Sequence, residues 1–100
     1  MTERPILNVS LADTVVRYAD LLFSAVDAEM VIFQVKQDAY FSLDEIGADI
    51  WHRLEQPIGV GALCEALGRD YEAEPATIHR DVLALLNQMA VAELIRIAPP

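Results

Sequence analysis

Two histidines, His52 and His79, and one cysteine, Cys64, are the side chains of this 100-residue chain best suited to catalysis or metal binding. A metal would need them to converge from three separate helical segments, and none of the paired spacings that make a zinc site is present. His79 is followed by Arg80 and Asp81, yet consecutive helix residues point in different directions, so their adjacency creates no shared site. A lone histidine serves as a general base only with a partner in reach, so His52 beside Trp51 reads as an ordinary helix residue. Cys64 recurs with Val60, Leu63 and Leu67 on one helical face, which makes it a packing residue. No glycine-rich phosphate loop occurs. The expectation is a protein that is not an enzyme and holds neither metal nor cofactor.

The elements that position these residues are legible from their periodicity. Val15-Val16 reads as a short strand and Leu21–Val26 as a longer one, joined through Asp27-Ala28-Glu29 to an apolar run at Met30–Val35. Along that run Val31, Phe33 and Val35 face one way and Met30, Ile32 and Gln34 the other, which suits a central or doubly covered strand. The polar turn Lys36-Gln37-Asp38 precedes a further strand at Ala39–Leu43, completing one small antiparallel sheet. Ser42 stands three residues before Glu45, the spacing of a reciprocal helix cap. Leu43, Ile46, Ile50 and Leu54 then predict a first helix over Asp44–Glu55, with Trp51 widening its stripe and Pro57 beyond its end.

A second helix is expected over Val60–Arg69, with Gly68 helping to end it. Glu74-Pro75 opens a third, where Ile78, Val82, Leu85, Leu86 and Met89 keep one apolar stripe. Leu94–Ile97 reads as a closing strand before Pro99-Pro100. The predicted class is α+β, with a winged helix-turn-helix outline: about three antiparallel strands, three helices and a terminal strand. Residues 1–14 are expected to form an arm and 15–98 the domain.

Charge opposes one alternative that such an outline suggests, a DNA-binding regulator. Sixteen acidic against seven basic residues give a formal charge of −9, which repels nucleic acid and anionic membranes and favours basic partners. The third helix carries Arg80 as its only permanent cation, beside Asp81, so phosphate contacts are missing. With 54% hydrophobic and 23% charged residues the chain has the apolar content of a folded domain. A single cysteine, no secretory-type start and no apolar run near ~20 residues point to a cytoplasmic protein without a membrane span.

The strand end Tyr40-Phe41-Ser42-Leu43, the helical Ile46-Gly47-Ala48-Asp49-Ile50-Trp51, the segment Val60–Leu67 with Leu63-Cys64, then Tyr71, Asp81-Val82 and Leu85-Leu86 together resemble the PqqD-like family over roughly Val15–Ile97. The resemblance implies a domain that binds the leader of a ribosomally made precursor peptide for modifying enzymes. A standalone chain of this size is most similar to the recognition proteins of lasso-peptide pathways, whose partner enzymes are a leader peptidase and a cyclase. It departs from pyrroloquinoline-quinone members at Tyr40–Leu43 and in lacking a glycine within Ala90–Leu94.

If Ala39–Leu43 is an edge strand, its unpaired N–H and C=O groups can take an extended guest as an added strand, with the third helix as the opposite wall. The expected peptide-binding residues are Tyr40, Phe41, Ser42, Ile78, Asp81, Val82, Leu85 and Leu86. For Asp81, the residue before Val82, the resemblance implies either orientation of the third helix or contact with the guest. The alternative is an interaction module that forms a homodimer or docks on another protein.

Overall fold

The β-branched and aromatic run at Glu29–Gln34 becomes the central strand of a sheet, because both of its neighbours in sequence fold back along it. In a computed structural model, which describes residues 8–99, β2 (Leu22–Val26), β3 (Glu29–Gln34) and β4 (Ala39–Leu43) form an antiparallel meander in the order β2-β3-β4. Two residues, Asp27 at φ 58° and Ala28, connect β2 to β3. A 3-10 turn at Val35–Gln37 and Asp38 at φ 50° connect β3 to β4. Of the two alternating sets, Met30, Ile32 and Gln34 are the buried face of β3, while Val31 and Phe33 are half-buried on the other.

The single expected sheet is in fact two. β1 (Thr14–Arg17) does not join the meander but lies between β5 (Ile58–Gly59) and β6 (Ile95–Ala98) in a second antiparallel sheet. Val15 pairs with Ile97 and also with Ile58, so the N-terminal strand ties the chain's last element to the link between its first two helices. β5 follows Pro57 and escaped the sequence reading because two residues carry no period of their own.

Three helices, α1 (Glu45–Arg53), α2 (Val60–Tyr71) and α3 (Pro75–Val91), complete the α+β fold. Two caps differ from expectation. Ser42 is an exposed β4 residue and caps nothing; the Asp44 carboxylate accepts the Gly47 N–H at 2.8 Å instead. A side chain at Gly47 would press on Leu43 Cβ at 3.2 Å, so the close passage from β4 into α1 favours glycine there. Gly68 does not end α2, which continues to Tyr71 and closes with Glu72 at φ 51°, the Gly68 carbonyl accepting from the turn that follows. Pro75 does open α3 at its first turn.

The core gathers Val15, Met30, Ile32, Ile50, Trp51, Leu54, Leu63, Leu67, Leu86 and Met89 from both sheets and all three helices. Ile46, expected within the buried stripe of α1, is 48% exposed. Of the expected arm, residues 1–7 lie outside the described residues, while Val9 is buried and its N–H donates to Asn87 Oδ1 at 2.9 Å.

Candidate peptide-binding groove

β4 has one neighbour, β3, and its other edge is free among the described residues. The register fixes which groups that edge presents. In a hairpin with a two-residue loop, the flanking pair Val26–Glu29 exchanges hydrogen bonds, and such pairs alternate along an antiparallel ladder. Glu29, Val31 and Phe33 therefore bond toward β2, and Met30, Ile32 and Gln34 toward β4. The partners of those last three are Leu43, Phe41 and Ala39. It is the backbone of Tyr40 and Ser42 that faces the free edge, two N–H donors and two C=O acceptors.

Side chains alternate with equal regularity. Phe41 turns toward the core side, where it lines an open, mostly apolar cavity of about 450 Å³ with Gln37, Asn87, Gln88, Val91 and Ala92. Opposite walls thus come from β4 and the C-terminal half of α3. Gln34 holds this end together: its buried amide donates to the Glu93 carbonyl at 2.7 Å, while its oxygen accepts the Lys36 N–H. Tyr40 and Ser42 side chains point to the other face of the sheet, where Tyr40 is 73% exposed and packs on Phe33 with ring centroids 4.8 Å apart. Their share in any peptide contact is therefore through the backbone.

A second cavity, of about 370 Å³, lies toward the N-terminal half of α3. It is lined by Ile46 and Ile50 of α1, Leu67 and Tyr71 of α2, Ala73 of the link, and Thr77, Ile78, Asp81 and Val82 of α3. Three expected site residues, Ile78, Asp81 and Val82, meet here. Leu85 is half-buried between the two cavities. The expectation for Leu86 is corrected: it is fully buried in the core and offers no wall to a guest. Ile46, Gln88 and Val91 are lining residues that sequence reasoning missed. The exposure of Ile46 was hidden by its fit to the buried stripe, and Gln88 is polar at a position where apolar period was sought.

A charged network meets the second cavity at Tyr71. Arg53 donates to Asp49 at 2.9 Å and to Asp70 at 2.5 Å, and the Tyr71 hydroxyl donates to Asp49 at 2.7 Å, pinning α1 to α2. The Arg53 hydrogen bonds hold the Asp49 carboxyl below its ordinary value, and the Tyr71 phenol is pushed up by its own hydrogen bond to Asp49. Asp81 is exposed, and its carboxylate accepts from its neighbour Arg80 at 3.3 Å.

The chemistry-bearing residues stay apart. His52 is exposed on α1, whereas Cys64 and His79 border one cavity at the seam of α2 and α3. Cys64 is 2% exposed, and burial pushes its thiol up, away from the reactive thiolate. Among the described residues no group of three or more His, Cys, Asp or Glu is placed to hold a metal ion. No described helix is long and apolar enough to cross a membrane.

No curated protein and no solved structure matches the chain. The family model described as coenzyme PQQ synthesis protein D (PqqD) matches residues 29–95, from the first residue of β3 through all three helices to the start of β6. That span contains both walls of the groove and both cavities, and the chain belongs to the PqqD family.

Proposed function

We propose that this protein captures the leader segment of a ribosomally synthesised precursor peptide as an added antiparallel strand on β4. The guest lies in the groove facing α3 and is presented to separate processing enzymes, a leader peptidase and a cyclase of the lasso-peptide type. Membership in the PqqD family supports a non-catalytic peptide-recognition role. The observation that carries the binding mode is the free edge of β4, with the Tyr40 and Ser42 backbone groups unpaired opposite α3.

The energetics suit a reversible carrier. Four ladder bonds at ~1 kcal/mol net each, with one or two side chains buried at ~2–3 kcal/mol each, compete with the cost of ordering the guest. Even the upper end of that sum, ~10 kcal/mol before the ordering cost, corresponds to a Kd no tighter than ~50 nM, so the expected Kd is micromolar. Regulation of DNA is disfavoured, since α3 offers Arg80 as its sole Lys or Arg in a chain of formal charge −9.

Isothermal titration calorimetry against the leader of the precursor encoded beside this chain tests the reading, with a scrambled leader as control. A leader N-methylated at alternate residues adds a test of the strand. Saturable binding of the true leader, lost on methylating the set that faces β4 and kept on methylating the other, is expected; equal binding of the scrambled peptide sinks the reading.

A second reading has one observation in its favour. The outer face of the β2-β3-β4 sheet exposes Leu22, Val26 and Tyr40, with Val35 just beyond β3, a surface suited to self-association or a partner protein. Concentration-dependent dimerisation in sedimentation equilibrium, abolished by Leu22→Glu, is its signature.

A further inference from the structure

The groove has two ends, and its two cavities differ in chemistry. At the Gln37 end, Phe41, Val91 and Ala92 are apolar and Gln37, Asn87 and Gln88 are neutral. At the Ile46 end, the floor of Ile50, Leu67, Ile78 and Val82 is bordered by the Asp81 carboxylate, with Glu45 beside Ile46 on the exposed turn of α1. The neighbouring charges do not cancel: Arg53 faces both Asp49 and Asp70. Arg80 pairs with Asp81 only in a solvent-exposed contact, which water and a competing cation disrupt.

The fold also gives direction. The start of β4 lies near the end of α3, where Gln37 donates to the Val91 carbonyl, and the end of β4 leads to Ile46, which faces Ile78 and Val82 across the second cavity. β4 and α3 therefore run in opposite senses. A guest antiparallel to β4 runs along α3 from its N-terminal end toward its C-terminal end, entering at Ile46 and leaving at Gln37. From Ile78 to Val91 the helix rises about 20 Å, the reach of about six residues of extended chain.

We propose that the cavity among α1, α2 and α3 is a selectivity subsite for the N-terminal end of the bound leader, taking an apolar side chain with a lysine or arginine close by that reaches Asp81. This deepens the leader-binding reading and rests on it. The apolar floor supplies burial, while the acidic rim rejects leaders that carry Asp or Glu at that position and steers cationic ones into register.

The test uses the full chain and the synthetic leader of the neighbouring precursor, fluorescein-labelled and followed by anisotropy in low and high salt. Asp81→Lys and Ile46→Glu alter exposed residues, so folding is preserved, and circular dichroism checks it. Each is expected to weaken binding about tenfold, with Asp81→Asn intermediate. Replacing the leader's N-terminal Lys or Arg by Glu is expected to restore affinity for Asp81→Lys and to lower it for the parent protein.

Glu65→Lys, on an exposed part of α2 outside the groove, is the control for net charge. Parent-like binding by both Asp81→Lys and Ile46→Glu, or an equal loss in Glu65→Lys, overturns the subsite while leaving leader capture standing. Failure of the parent protein to bind the leader overturns leader capture and the subsite with it.

Discussion

The carboxylate of Asp44 accepts the Gly47 N–H at 2.8 Å and so satisfies one of the donors that α1 leaves open at its first turn. Removing that oxygen by Asp44→Ala is expected to cost about 1 kcal/mol, whereas Ser42→Ala, two residues earlier in an exposed strand position, stays within about 0.5 kcal/mol of the parent. Urea denaturation read by circular dichroism separates them, and an equal loss in both contradicts the cap assignment. Cys64 permits a second residue-scale measurement. Its burial and raised thiol predict no reaction with a disulfide reagent in the native protein and stoichiometric reaction once urea unfolds it. Fast native labelling would show that the seam between α2 and α3 opens.

At the scale of elements, β4 differs from β3 in that one of its edges is spent on β3 and the other is free among the described residues. Since the Ser42 N–H faces the free edge and the α1 cap is Asp44, Ser42→Pro removes a proposed guest contact without breaking the β3 ladder, and edge strands tolerate proline there. The expected result is a native circular dichroism spectrum with leader binding reduced about tenfold; unchanged binding places the guest elsewhere. The pairing of α1 with α2 answers to pH. Asp49 has a lowered folded pKa, chiefly through Arg53, so its contribution to stability is present above the ordinary value of 3.8 and is lost as pH falls through the folded value. The pair is partly exposed, which keeps that contribution below ~1 kcal/mol. Asp49→Asn is expected to flatten the acid limb of a stability-against-pH curve below pH ~4 and to leave stability near neutrality only slightly lower. The helices and the meander were legible because each repeats its period over several residues. The groove's polarity was not, since it depends on which way α3 crosses β4, a relation between elements far apart in sequence.

Across the whole molecule, the division into two sheets escaped the sequence because Val15 and Val16 alternate as well for one partner as for another, and only pairing with Ile97 and Arg96 decides it. The Arg17 side chain reaches across the division. The Arg17 guanidinium of β1 lies 4.8 Å from the Phe23 ring of β2 and 5.2 Å from the Trp51 ring of α1, and donates to the Trp51 carbonyl at 3.2 Å. Phe23 meets Trp51 edge-on at 5.7 Å. A cation set against two rings that meet edge-on contributes ~1–2 kcal/mol when it is partly desolvated, and its hydrogen bond adds ~1 kcal/mol. Arg17→Ala is therefore expected to lower stability by about 2 kcal/mol, measured in urea with Trp51 fluorescence as the probe. This clamp sits at β2, the edge of the meander opposite β4, so leader affinity measured below the unfolding transition should stay within about twofold of the parent. A variant that loses stability but keeps affinity shows that the clamp holds the two sheets together and the β4 edge does the binding. A parallel loss of affinity in the folded variant would mean that the guest depends on how the sheets are set against one another, and the groove would then have to be redrawn to include β1.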